Sequence, residues 1–567
     1  MSLSSISPNT VRRFLLAASV AAIVALPTIQ ARAQLHQAWT DRWDGSLSGD
    51  DGAYAMTVDS NGNIVVAGET ETATGGGDGL VVKYDPSGRK LWQQTYDGPA
   101  NAYEYWNEIE TDSSDRIVVL GQSDGGASSW DFVTLVYDAD GTFLWEQRYD
   151  GLGNGYDLAL AMDLDGLDNI YVVGIEEGTD GLEEFTTIKY LPDGTEAWVR
   201  RYESSAYPPN ERAWGEGVAV TAAGTVYAAG DAINASGGLD YALLKYDTDG
   251  NLLWERLFDG TYGGGDAFRD IALGPNEEIY LCGITETGTG FEYGVAQYDS
   301  AGTFQWEGRW GGATGYHFGE HLAVDQVGNA FVAGKSTNTA GYFDWVTVCF
   351  DINGTQQWAH RYQPYYYFGD NTPHGITVDG LGGVYVGGNI WNWHYEGHNA
   401  VLVKYDTAGA IQWTDAIDGP AGGDDAWFAV TVDGSNQVNV AGVSLGSGSG
   451  LDLLLAKYRQ NGPPTLQISP MPLVPGQPGT FTVSNVEPGA TTYLAYSTAG
   501  PGTVHVGFLD VTLGLTAPKQ ALPAKAADAA GTAQWTVTVP GAVSGNDLWF
   551  QGVQYHVATD VAATSVQ

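Results

Sequence analysis

Six of the nine histidines fall between residues 317 and 398. His317 and His321 flank Glu320, His374 follows, and His394 and His398 bracket Glu396. Imidazole with carboxylate suits Zn2+ or another borderline metal. The stretch H-F-G-E-H lies on no predicted helix, so it does not imitate a metalloprotease motif. Solvated or loop-packing histidines are the plainer reading. A second candidate chemistry is aromatic: Trp106, Trp130, Trp214, Tyr366, Trp391, Trp393, Tyr395 and Trp427 stand among Asp and Gly, with Tyr103, Tyr105, Tyr262 and Tyr316 nearby in the same kind of segment. Such rings stack on sugars or cage cations. Packing of loops or of a channel is the plainer alternative. Acid-rich turns such as Asp163-Leu164-Asp165 with Asp168, or Asp138-Ala139-Asp140, offer oxygens for Ca2+, but the twelve-residue EF-hand spacing is absent and turn capping explains them as well. No cofactor is required by the sequence, and Ca or Zn are the two that its residues would accommodate.

Those residues must be held by a repeat. Tryptophan recurs at Trp39, Trp92, Trp145, Trp198, Trp254, Trp306, Trp358 and Trp413, with intervals of 53, 53, 53, 56, 52, 52 and 55 residues. Before seven of them stands a phrase of the type KYDPSGRKLW or KYDTDGNLLW. Each unit reads as four strands: an alternating stretch, a short apolar strand after a Gly/Asn turn, a third strand after a variable loop, and the Trp strand after an Asp-x-x-Gly turn. Asp caps that turn and Gly accepts φ > 0. The eighth unit stops at Tyr458 without a Trp strand, and the missing strand is found at the start, around Trp39. An N-terminal strand completing the last sheet would bury both open edges. The expectation is an eight-bladed β-propeller over 34–462 with the eight tryptophans wedged as structural residues between blades. Five of nine lysines (Lys83, Lys189, Lys245, Lys404, Lys457) share one repeat position and read as structural too.

The pattern D-x-x-G-N-x-Y-V-x-G followed by D-[YF]-x-x-x-K-Y-D-x-x-G-x-x-x-W resembles the bacterial secreted β-propeller repeat family, SBBP. That resemblance implies an exported or surface-attached propeller with no defined activity. The D-x-x-x-G-x-x-x-W stretch is also similar to the tryptophan-docking motif of eight-bladed quinoprotein dehydrogenases. Those enzymes, however, place adjacent cysteines under the quinone, and Cys282 and Cys349 are far apart. Sialidase propellers use a three-Arg cluster and a tighter S-x-D-x-G-x-x-W box, whereas here the spacing is D-x-x-G and variable-face arginines are sparse (Arg212, Arg269). Cys282 reads as a small buried strand residue, with a bridge to Cys349 as the lesser reading.

After Asn461-Gly462-Pro463-Pro464 the repeat ends, and residues 463–567 read as a small β-sandwich of alternating runs between Pro/Gly turns. It is similar to the C-terminal β-domains of secreted planctomycete and myxobacterial proteins. Residues 1–33 read as a signal peptide: Arg12 and Arg13, an apolar run from Phe14 to Leu26, then Ala31-Arg32-Ala33. That run is too short to span a bilayer, and no later stretch is long and apolar enough. A net charge of −44, from 68 acids and 24 bases, argues against nucleic acid and anionic lipid as partners. The resulting expectation is all-β, secreted or at the cell surface, non-catalytic, and bound to a carbohydrate or cell-surface component through its variable loops. A metal-assisted hydrolase or lyase using the histidine cluster, and a purely structural envelope or matrix protein, are the alternatives.

Overall fold

The computed structural model describes residues 36–566 except 74–75, 127–128, 203–212, 234–237, 261, 312–314, 364–368, 393–396, 461–463, 508, 510, 529 and 541–545. The expected signal segment therefore lies outside the described residues. Every regular element of the described chain is a β-strand, as a glycine-rich, charge-poor, aromatic-rich composition leads one to expect. No helix of the described residues is long and apolar enough to cross a membrane.

Through Arg459 the strands group into eight antiparallel sets of four. The first set is Asp51–Val58, Ile64–Glu71, Gly77–Tyr84 and Lys90–Tyr96. The fifth and sixth sets are linked by a short parallel pairing of Gly290 and Phe291 with Gly315 and Tyr316. The last set takes its fourth strand from the beginning of the chain: His36–Trp43 pairs antiparallel with Leu451–Arg459, placing Trp39 opposite Lys457. The first strands of successive sets touch one another in order, and that of the eighth set touches that of the first, which completes a cycle.

The repeat phrase explains the joints between sets. In the turn at 85–88 the Asp85 carboxylate accepts from the backbone N–H of Ser87 and Arg89, and Gly88 holds φ +91°. A Cβ on Gly88 would stand 2.7 Å from the Trp39 ring, so glycine is needed for the approach as well as for the dihedral. The Trp39 indole donates to the Pro86 carbonyl at 3.2 Å. Trp92, Trp145, Trp198, Trp306 and Trp358 repeat that bond onto the carbonyls of Ala139, Pro192, Thr248, Ile352 and Thr407. Each indole thus docks on the next set's turn. Among the eight, Trp39 and Trp198 are buried while the others are half-buried, because they stand on outermost strands. The repeat lysine adds a second tie: Lys83 pairs with buried Asp59 at 2.8 Å and donates to Ala139.

The joint differs at the end of the array, where no eighth Asp-x-x-Gly turn follows. Gln460 takes its place, accepting from Lys404 and donating to Asp379 and the Asn436 carbonyl. Lys457 pairs with Asp433 and also with Glu487 of the C-terminal region, and Glu487 in turn pairs with Arg459. That region comprises a three-stranded sheet containing Thr465–Ser469, Pro478–Ser484 and Ala533–Thr538, a second sheet built on Thr491–Ser497 and Asp547–Gln554, and a hairpin of Pro501–Val506 and Val511–Leu515. Phe481, Val483, Leu494, Trp535 and Phe550 share one apolar core. Cys282 and Cys349 are both free and buried, so the strand reading of Cys282 holds and there is no bridge.

Candidate functional site: an aromatic patch beside the inner strands

Each first strand carries a bulge at the same place. In register terms the unpaired residues are Tyr54, Asn107, Leu160, Glu216, Arg269, Glu320, His374 and Phe428. A bulge re-aims a side chain, and here it brings neighbours of the cycle together. His374 lies 5.0 Å from Phe428, Phe428 5.4 Å from Tyr54, and Arg269 pairs with Glu216. Glu320 is held by Lys335 at 2.7 Å.

Beside Tyr54 stands an exposed aromatic patch. Tyr103 and Tyr105, two residues apart across the start of Glu104–Thr111, hold their rings within 10° of parallel at 6.3 Å and are 53% and 38% exposed. Trp130, at the head of Trp130–Tyr137, lies 5.3 Å from Tyr105. Tyr54 donates to Glu69 at 2.5 Å. Burial first, then Glu69 and the phenols of Tyr103 and Tyr156, push the Tyr105 hydroxyl above its ordinary range. Burial raises the Glu69 carboxyl as well, against the bond from Tyr54. The stacked Tyr103–Tyr105 pair, Trp130 tilted 43° beside Tyr105, and the Glu69 carboxylate near the Tyr105 hydroxyl make an exposed aromatic patch with polar edges, the kind of group that can stack on a neutral ring or hold a cation.

The other aromatic candidates separate. Trp106 and Trp427 occupy one repeat position in the first strands, each only 1% exposed, and a Cβ on Gly79 would lie 2.4 Å from the Trp106 ring. They are core residues wedged between sets, so the expectation of ligand contact is corrected for both. Their place directly after the variable loop made them look like loop residues. Trp214 is half-buried and donates to Glu183. Trp391 is half-buried, meeting the edge of His398 at 5.1 Å. Tyr366, Trp393 and Tyr395 lie outside the described residues, as do His394 and Glu396.

Each described histidine of the cluster has its own partner. His317 is buried with Nδ1 2.6 Å from the Ser336 hydroxyl. It occupies the repeat position where other sets carry Asp51, Glu104, Asp157, Asp266 or Asp425. His321 bonds the Pro373 carbonyl, and burial, with His374 adding, lowers it to about 4. His374 is likewise lowered to about 4, by burial and then by Lys335. His398 pairs with Asp424 at 2.8 Å. Among the described residues, the groups whose ligand atoms converge within 4.8 Å are made of carboxylates alone. The expected Zn2+ set is therefore not assembled from these four histidines. The Ca2+ turns are explained by capping: Asp165 accepts from the Leu167 and Asn169 amides and the Tyr171 hydroxyl, and Asp168 from Ser113. Asp138 accepts from Asp140 and Thr142.

A set of acids, of which the sequence singled out only Asp163 and that as a Ca2+ ligand, serves the free edges of the inner strands. Glu108 accepts from the Met162 N–H, Asp163 from Val220 at 2.6 Å and Asp270 from Leu322 at 2.7 Å, each reaching into the next set. An edge strand's unpaired donors need such partners. Burial raises Asp163 to about 6 and Asp270 to about 7, and raises Glu108 well above the usual carboxylate range with Glu110 adding to it. An acid on an alternating strand was the available signal, but only the bulge register says that it faces a neighbouring backbone.

Residues 368–396 match the family model described as a beta-propeller repeat, SBBP. No curated protein matches the chain. Among solved structures, the chain is similar to the polysaccharide lyase Uly1 (9% identity, TM-score 0.40, covering 72% of this chain and 90% of that one). It is also similar to Drosophila Plexin A in complex with Semaphorin 1b (8% identity, TM-score 0.37, covering 75% and 87%). The described chain is all-β, and residues 368–396 of it match a β-propeller repeat.

Proposed function

We propose that the protein is an exported, non-catalytic eight-bladed β-propeller, residues 34–462, carrying a C-terminal β-sandwich over 463–567, and that it binds carbohydrate or a glycosylated cell-surface component. The observation that carries this reading is the exposed, near-parallel pair Tyr103 and Tyr105 with Trp130 beside it. The cyclic contact of the first strands and the pairing of His36–Trp43 with Leu451–Arg459 support the eight-bladed closure. The net charge of −44 favours neutral or cationic ligands over phosphate-bearing ones. A metal-assisted hydrolase or lyase would need His317, His321, His374 and His398 to converge, whereas each is engaged separately. The test is a glycan array with the secreted chain, followed by titration of the best neutral oligosaccharide into wild type and the Tyr105→Ala variant. Losing one stacking ring costs about 0.5–1.5 kcal/mol, roughly two- to tenfold in Kd. An array without hits, or an unchanged Kd in the variant, refutes the reading.

A further inference from the structure

A three-carboxylate motif recurs at the joints between sets. Asp78, Asp97 and Glu104 form one group, Asp131, Asp150 and Asp157 a second, and Asp240, Asp259 and Asp266 a third. In all three the members are 19 and 7 residues apart. The first acid lies near the head of a third strand, the second directly follows a Trp strand, and the third opens or immediately precedes the next set's first strand. Within each group one ligand atom from every residue lies within 4.8 Å of the others, and two residues are buried while the middle one is exposed.

In the first two groups hydrogen bonding leaves one buried oxygen without a donor. Glu104 is fully enclosed, at 0% exposure. Its Oε1 accepts from the Gly98 amide at 3.1 Å and the Ser123 hydroxyl at 3.0 Å, and its Oε2 has no donor. Asp131 is 1% exposed; its Oδ2 accepts from Arg148 at 2.9 Å, and its Oδ1 has no donor. A buried carboxylate oxygen without a donor is costly. Where two further carboxylates stand against it, a cation answers the deficit better than a neutral donor can.

We propose that the Asp78–Asp97–Glu104 group binds Ca2+, and that Asp131–Asp150–Asp157 is a sister site; in the third group both oxygens of Asp266 are occupied, by the Gly260 and Glu286 amides, and no site is proposed there. The donors are all oxygen, which selects a hard cation over Zn2+. Three carboxylates supply up to six oxygens and leave room for water, as Ca2+ tolerates and the stricter octahedron of Mg2+ does not. The exposed middle aspartate gives the ion its path in. The inference stands apart from the carbohydrate reading, since it concerns the joints and not the exposed rings.

The experiment is calorimetric titration of CaCl2, and separately MgCl2, into EDTA-stripped full-length protein, with thermal unfolding in parallel. Affinities on the order of 10−4 to 10−3 M are expected, as in extracellular modules. Calcium at ten times Kd then favours the folded state about elevenfold per occupied site, so the unfolding midpoint rises with calcium and less with magnesium. Asp97→Asn and Asp150→Asn change only the exposed members and leave the buried bonds in place. Each removes one equivalent of bound calcium, and the double variant loses saturable binding while keeping its β-sheet circular dichroism in EDTA. Absence of saturable binding in the wild type, or full stoichiometry in the double variant, overturns the proposal. An unchanged stoichiometry in one single variant overturns that site.

Discussion

Replacing Glu487 by Gln tests how the end of the array is sealed. Its carboxylate lies 3.1 Å from Lys457 and 3.2 Å from Arg459, and the three side chains are 1–6% exposed. Lys457 keeps Asp433 at 3.0 Å after the substitution. Arg459 keeps the Asn485 carbonyl and the more distant charge of Asp433, and burial already lowers its pKa against the help of Glu487. The variant therefore retains the volume but strands one positive charge in the interior. Breaking a buried pair from one side costs about 3–5 kcal/mol, more than a hundredfold in the ratio of folded to unfolded protein at about 1.4 kcal/mol per tenfold. Arg89→Ala provides the control, since Arg89 pairs with Asp85 while 61% exposed, and such a pair contributes roughly 0–1 kcal/mol. Urea unfolding followed by tryptophan fluorescence reads both variants, because Trp39 and Trp413 lie on either side of the seam. A loss in the Glu487 variant no larger than that of the Arg89 variant would refute the claim that the C-terminal region seals the array.

Three further outcomes follow from the same geometry. Gly141→Ala places a Cβ 2.6 Å from the Trp92 ring at a φ of +84°, so it destabilises by more than the roughly 1 kcal/mol of an ordinary backbone conflict, read as a lower urea midpoint. In EDTA, stability falls as pH rises from about 4.5 to about 7. Glu104, Asp157, Asp266 and Asp270 hold protons in the folded state up to about 6–7, whereas the unfolded chain releases them near 4, so folding is favoured on the acid side. A melting temperature that instead climbs across that window contradicts these shifts. Trp106→Ala costs about 3–5 kcal/mol by emptying a fully buried site; a well-folded variant with altered glycan affinity alone would contradict its placement in the core.

Much of the framework was legible because the repeat couples turn chemistry to packing. The Asp that caps a turn, the Gly that accepts positive φ and the Trp that docks on that Gly stand at set distances, so the phrase KYDPSGRKLW announces a strand, a turn and an inter-set contact together. The missing Trp strand after Tyr458 likewise pointed to Trp39, which is found opposite Lys457. The candidate site was less legible, and the reason is register. A bulge at Tyr54, Asn107 and their equivalents leaves no mark on the alternation of side chains, so Trp106 and Trp427 read as rim residues when they are core. Glu108 and Asp270 reach the backbone of a neighbouring set, a partner some fifty residues away that spacing within one unit cannot reveal. The histidines cluster in sequence because two adjacent sets happen to carry them, but His317 replaces a loop-closing acid while His374 fills a bulge. The tryptophans dock as the repeat implies, yet most remain half-buried because an outermost strand has a neighbour on one side only.

The most direct measurement is a crystal structure of the secreted protein grown with the oligosaccharide that scores highest on the array. The account predicts a sugar ring stacked on an open face of the Tyr103–Tyr105 pair, with Trp130 and Glu69 beside it. Sugar bound elsewhere, with those three rings open to solvent, would contradict it.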